Sequence, residues 1–70
     1  MQKVYVVTKK EYLSPERYVT VKTTKEEAEN IIFSDCSNVR RGSTASNPEK
    51  FLCRDNAGHV CRMYIYEETI

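Results

Sequence analysis

Apolar and polar positions alternate most regularly near the C-terminus. In FLCRDNAGHVCRMYIY, residues 51–66, two runs rich in β-branched and aromatic residues flank the turn-forming stretch Asp55-Asn56-Ala57-Gly58. The pattern predicts a hairpin in which Gly58 takes the left-handed conformation that closes a three-residue loop. That register sets Asp55 opposite His59, Arg54 opposite Val60, Cys53 opposite Cys61 and Phe51 opposite Met63. Because strand side chains alternate between faces, Phe51, Cys53, Cys61, Met63 and Ile65 share one face, the expected core. Leu52, Arg54, Val60, Arg62, Tyr64 and Tyr66 share the other.

Upstream, Lys3 to Lys9 reads as a first strand, with Val4 and Val6 on one face and Tyr5 and Val7 on the other. Tyr18 to Lys22 reads as a second, with Val19 and Val21 alternating against Tyr18 and Thr20. Between them Pro15 presets a turn or a single helical turn, and Tyr12 and Leu13 are expected to tuck this connection against the sheet. A helix then opens at Thr23-Thr24-Lys25-Glu26-Glu27. Thr24 with Glu27 forms a capping box, and Thr23 with Glu26 is the alternative register. Ala28, Ile31 and Ile32 make the inward stripe, and Phe33 extends it or seals the helix end. Ser34, Asp35, Ser37 and Asn38 mark the helix end after about three turns. Asn38 to Thr44 supplies a possible short strand through Val39 and Arg41. Ala45 to Pro48 reads as a loop, since Pro48 excludes a central strand there.

This order, β-β-α-(β)-β-β, predicts an α+β fold. One domain over residues 1–70 carries a four- to five-stranded, mostly antiparallel sheet with one helix packed on one face. The helix is expected to cover Val4, Val6, Val19, Val21 and the Phe51 set. The opposite face then gathers Tyr5, Val7, Tyr18, Leu52, Val60, Tyr64 and Tyr66, with Arg54 and Arg62 among them. Such a face is unusually apolar for water, and tyrosine and arginine are enriched at interaction hot spots. The competing expectation is a sheet face capped by the Ser14–Arg17 connection and by long side chains.

Composition narrows the class. Seventy residues with 40% hydrophobic and 30% charged positions fit one soluble globular domain. A net charge of +1 gives no overall basic excess of the kind that phosphate binding usually leaves. No apolar run approaches the ~20 residues of a membrane span. MQKVYVVTKK lacks the long apolar region and small-residue cleavage site of a signal peptide. Three cysteines, an odd number, argue against a secreted disulfide scaffold, so the cytoplasm is the expected location. The oligomeric state, monomer or homodimer, is left open.

Candidate chemistry is sparse. Cys36, Cys53, His59 and Cys61 contain no C-x-x-C or H-x-x-x-H pair, so reduced, metal-free, buried cysteines are the expectation. A Cys53–Cys61 cross-strand disulfide is disfavoured by a reducing compartment. A Cys–His nucleophile lacks an orienting third group and an oxyanion hole, and Ser34 and Ser46 have no histidine placed to activate them. The expectation is therefore no enzyme, no cofactor and no metal. Arg40-Arg41-Gly42-Ser43-Thr44, with Lys50, makes a local basic loop suited to phosphates or acidic side chains, or simply a solvated loop. Glu26, Glu27, Glu29 and Asp35 on the helix exterior read as a solvated face.

Two functions follow. The first is a non-enzymatic protein-binding protein that uses Tyr5, Tyr18, Arg54, Arg62, Tyr64 and Tyr66, together with Arg40 and Arg41. The second is a small single-stranded nucleic-acid-binding module in which the tyrosines stack bases beside the arginines, although the glycine-rich aromatic motif of RNA-recognition sheets is absent. In layout the chain resembles small phage-encoded inhibitors. Strand, strand, the TTKEEA helix start at Thr23–Ala28 and a hairpin ending RMYIYEE resemble the small anti-CRISPR proteins that pair a bent sheet with one helix. The first half is also similar to short phage inhibitors of bacterial RNA polymerase. The resemblance implies a protein that acts in the host cytoplasm by occupying a surface of a larger host protein or ribonucleoprotein complex.

Overall fold

The computed structural model describes residues 2–11, 13–43, 47–54 and 57–70. Five strands and one helix follow in the order β1 (Lys3–Lys10), β2 (Arg17–Lys22), α1 (Lys25–Asp35), β3 (Ser37–Ser43), β4 (Glu49–Arg54) and β5 (Val60–Thr69). They form one antiparallel sheet in the spatial order β2-β1-β5-β4-β3, with α1 on one face, the α+β arrangement the pattern predicts. The segment after α1 is a full strand at the sheet edge, so the sheet has five strands. β1 lies beside β5, and this pairing reaches the chain ends: the Gln2 and Ile70 backbones exchange hydrogen bonds of 2.9 and 2.8 Å.

The C-terminal hairpin has the expected register, with Arg54 opposite Val60, Cys53 opposite Cys61 and Phe51 opposite Met63. Gly58 takes φ +84°, where a side chain would be strained. The Asp55–His59 pairing, Asp55-Asn56 of the turn, Tyr12, and Thr44-Ala45-Ser46 lie outside the described residues. Upstream of β4, Pro48 has no N–H to give the ladder. The Asn47 side chain replaces it, donating to the Glu67 carbonyl and accepting from the Glu67 N–H, both at 3.0 Å.

Helix α1 is capped by Thr24, whose hydroxyl accepts the Glu27 N–H at 3.2 Å; the Thr24 register is the one adopted. Ala28 and Ile32 are fully buried against Val7, Phe51, Cys53, Cys61, Met63 and Ile65. Ile31 is only half-buried. Phe33 is 47% exposed and meets Phe51 edge-on, with centroids 6.3 Å apart. Three ion pairs fasten the helix to the sheet along its length. Lys25 pairs with Glu49 of β4, Glu29 with Arg41 of β3 at 3.0 Å, and Asp35 with Lys9 of β1 at 3.2 Å.

Strand β1 has the opposite phase from the expected one. Tyr5 and Val7 face the helix, with Val7 opposite Ile65, whereas Val6 lies opposite Tyr66 on the open face. Both parities of KVYVV are apolar, so alternation alone did not choose between them; pairing to β5 does. In β2, Val19 packs on the core as expected, but Val21 lies opposite Val6 on the open face. The register slips between Val7, opposite Thr20, and Thr8, opposite Tyr18, leaving Val19 as an extra residue. A bulge of this kind breaks strict alternation. Leu13 does not tuck against the sheet; it is 87% exposed.

Candidate docking face of the sheet

The strand registers arrange the face opposite the helix in rows. One row runs Arg40, Leu52, Arg62, Lys10 across β3, β4, β5 and β1. The next runs Lys50, Tyr64, Thr8, Tyr18 from β4 to β2, and a third runs Tyr66, Val6, Val21. Arg54, opposite Val60, lies beyond the first row. At ~4.8 Å between strands, Arg40 and Lys10 stand roughly 14 Å apart along their row. One end of the face is thus basic and the other tyrosine-rich.

Of the residues expected on this face, Arg40, Arg54, Arg62, Tyr18, Tyr64 and Tyr66 are brought together. Tyr5 is not, because the phase of β1 turns it to the core side. Arg41 is not either. The Arg40–Arg41 segment is a strand and not a loop, so its two arginines point to opposite faces. Arg41 lies opposite Phe51, with its guanidinium 5.3 Å from the Phe51 ring centre and 5.9 Å from that of Phe33. It also forks onto both carboxylate oxygens of Glu29, at 3.0 and 3.2 Å. This fork raises Arg41 and, with the guanidinium charge, lowers Glu29 despite partial burial. Arg41 is a structural clamp.

The tyrosine end is held by Glu16, from the Ser14–Arg17 connection that the competing expectation set over this face. The Glu16 carboxylate accepts from Thr8 at 2.9 Å and from the Tyr66 phenol at 2.8 Å. This ties the β1–β2 connection down over the face. The hydrogen bond to Glu16 raises the Tyr66 phenol, since ionisation would set two anions together. The Tyr64 and Tyr66 rings lie 6.2 Å apart at 42°, and Tyr18 stands 62% exposed. Lys10 was missed, because its place on this face depends on the unresolved phase of β1.

The basic end is unneutralised. Among the described residues, Arg40, Lys50, Arg54 and Arg62 have no carboxylate partner. Arg54 donates to the Gly58 carbonyl at 3.0 Å and Lys10 to that of Ser14 at 3.2 Å. Glu11 is engaged by Arg17 at 2.7 Å. The helix side carries Glu26, Glu27, Glu29 and Asp35. Of these, Glu29 and Asp35 are paired with Arg41 and Lys9.

Cys36, Cys53 and Cys61 are buried in the core and form no disulfide with one another, with Cys36 Sγ 3.5 Å from Met63 Sδ. Among the described residues no group of three or more His, Cys, Asp or Glu is placed to hold a metal ion. No described helix is long and apolar enough to cross a membrane. Comparison with protein-family models, curated proteins and solved structures finds no match to this chain.

Proposed function

We propose that the chain is a non-enzymatic protein-binding inhibitor that docks its open sheet face onto a larger host protein or ribonucleoprotein complex. A single observation carries this reading: the open sheet face gathers three tyrosines, interleaved aliphatic residues and four cations that have no carboxylate partner among the described residues. Aromatic residues and arginine over an apolar floor are the composition of protein interfaces. The inhibitory sense, and targets such as a CRISPR-Cas effector or RNA polymerase, rest only on the layout resemblance to small phage inhibitors drawn from the sequence.

Single-stranded nucleic acid is the weaker reading. Base stacking needs open ring faces beside cations, whereas Tyr64 and Tyr66 are half-buried and the Glu16 carboxylate sits among them, where it repels phosphate.

Immobilised wild type, a Tyr64→Ala/Arg62→Glu variant and a Glu26→Lys variant should be exposed to host lysate. A defined protein held by wild type and Glu26→Lys, lost from the double variant, and inhibited in its own assay supports the proposal. Retention by all three, or recovery of nucleic acid with no defined protein, rejects it. Glu29 is unsuitable as the control because it holds Arg41.

A further inference from the structure

Two adjoining hollows mark the basic end of the open face. One, of about 660 Å³, is lined by Val39, Arg40, Leu52, Cys53, Arg54 and Val60 among others. The other, of about 220 Å³, is lined by Lys10, Glu11, Leu13, Val60 and Arg62, with the Glu11 carboxylate held by Arg17. Val60 lines both, so they form one groove across the strands, with the Arg40–Leu52–Arg62–Lys10 row along it. Arg40, Arg54 and Arg62 surround the half-buried Leu52, and Val60 is 53% exposed.

We infer that this groove seats an extended acidic segment of a partner protein, in which an apolar residue lies between carboxylates. The inference rests on the protein-docking reading above and names the partner's chemistry. Guanidinium groups fork onto carboxylates, and these have none of their own among the described residues. The row of roughly 14 Å is spanned by about four extended residues. Its centre is aliphatic and the tyrosines lie one or two rows away, so the groove offers a carboxylate–apolar–carboxylate ligand more than it offers a stack of bases. Side chains and not the edge backbone make the seat. β3 has register shifts on both sides of its Arg40–Arg41 pair, and Asn38 has φ 53°, so its outer edge is a poor template for an added strand.

The test is a titration of isotope-labelled protein, read by amide NMR shifts. The probes are a short peptide in which glutamates flank a leucine, its glutamine twin, and oligothymidylate. Shifts from the acidic peptide should cluster at Arg40, Leu52, Arg54, Val60 and Arg62. Binding should weaken about tenfold or more in Arg40→Glu and in Leu52→Asn, with circular dichroism unchanged. Arg40 is exposed, so its variant remains informative should Leu52→Asn fail to fold. Equal binding of the glutamine twin, or shifts centred elsewhere, overturns the inference. Tighter binding of oligothymidylate in the same groove overturns both this inference and the protein reading. If a lysate partner lost from Tyr64→Ala/Arg62→Glu still binds Arg40→Glu undiminished, the groove assignment falls and the docking face stands.

Discussion

Burial sets the chemistry of Cys53. Removal from water, then the hydrogen bond and charge of Cys36 and the neighbouring Cys61, push its thiol from the ordinary 9.0 up to about 12. The thiolate is the reactive form, so Cys53 in the folded protein should resist iodoacetamide at neutral pH and react once denaturant is added. Fast native labelling, read by mass spectrometry, would contradict the core placement. The same shift has a sign for stability. A group whose pKa is raised by folding stabilises fully below its unfolded value, and this contribution is lost as pH rises toward the folded value. Stability should therefore fall between about pH 9 and about pH 12, and Cys53→Val should flatten that fall. For Lys9, burial alone would lower the pKa, but the Asp35 hydrogen bond and charge hold it raised, so its contribution is lost only above the ordinary lysine value of 10.5. Arg41 differs from its neighbour Arg40 in role. Arg41→Ala removes the fork onto Glu29 and the contacts with Phe33 and Phe51. It should cost about 1–2 kcal/mol, discounted because the guanidinium side chain is 43% exposed, and should leave partner binding intact. Thermal melting and a binding assay on the same sample check both halves.

Helix α1 presents only two fully buried side chains, and they are four residues apart. Ile32→Ala should leave a cavity beside Phe51 and Met63 and cost roughly 2–5 kcal/mol, a large share of the stability of so small a domain. Ile31→Ala, at a half-buried position, should cost distinctly less; equal losses in denaturant melts would mean the helix is rotated. Removing the cap with Thr24→Ala should cost about 1 kcal/mol. These elements also show where a sequence carries its own register. In the hairpin, the Gly58 turn fixes which residues oppose one another, and a clean alternation fixes which face is buried, so Phe51, Cys53, Cys61, Met63 and Ile65 were legible as core. The cap and helix length were legible because Thr24 and Glu27 are local partners. β1 was not: its side chains are apolar on both parities, and its phase depends on β5, some 60 residues away. The site inherits that division. Arg54, Arg62, Tyr64 and Tyr66 follow from the hairpin, whereas the loss of Tyr5 and the gain of Lys10 follow from the β1–β5 pairing. Arg41 was misplaced because Asn38 to Thr44 reads both as a possible short strand and as a basic loop, and only a strand parts it from Arg40.

Among the described residues Arg40, Lys50, Arg54 and Arg62 on the open face have no carboxylate partner, whereas Lys9, Lys25 and Arg41 on the helix side are each paired with one, although the total charge is near zero. A partner approaching at ordinary salt feels charges only within about 8 Å, so it responds to the face it meets and not to the net charge. Association through the open face should therefore slow as salt rises, despite a net charge of only +1. The two halves of the face should act on different rates. Arg62 is exposed, so Arg62→Glu should chiefly slow association with an acidic partner. Tyr64 is half-buried between Thr8 and Lys50, near the centre of the rows, so Tyr64→Ala should chiefly speed dissociation and cost ~2 kcal/mol or more of affinity. Glu26→Lys, on the far side of the helix, adds a cation where no docking is proposed and should leave both rates near those of wild type. Biolayer interferometry with the captured partner resolves the rates, and circular dichroism shows whether each variant is folded. If Glu26→Lys abolishes binding while Arg62→Glu and Tyr64→Ala bind like wild type, the docking surface is the acidic helix. The cations of the open face would then serve only to keep that side of the sheet in water.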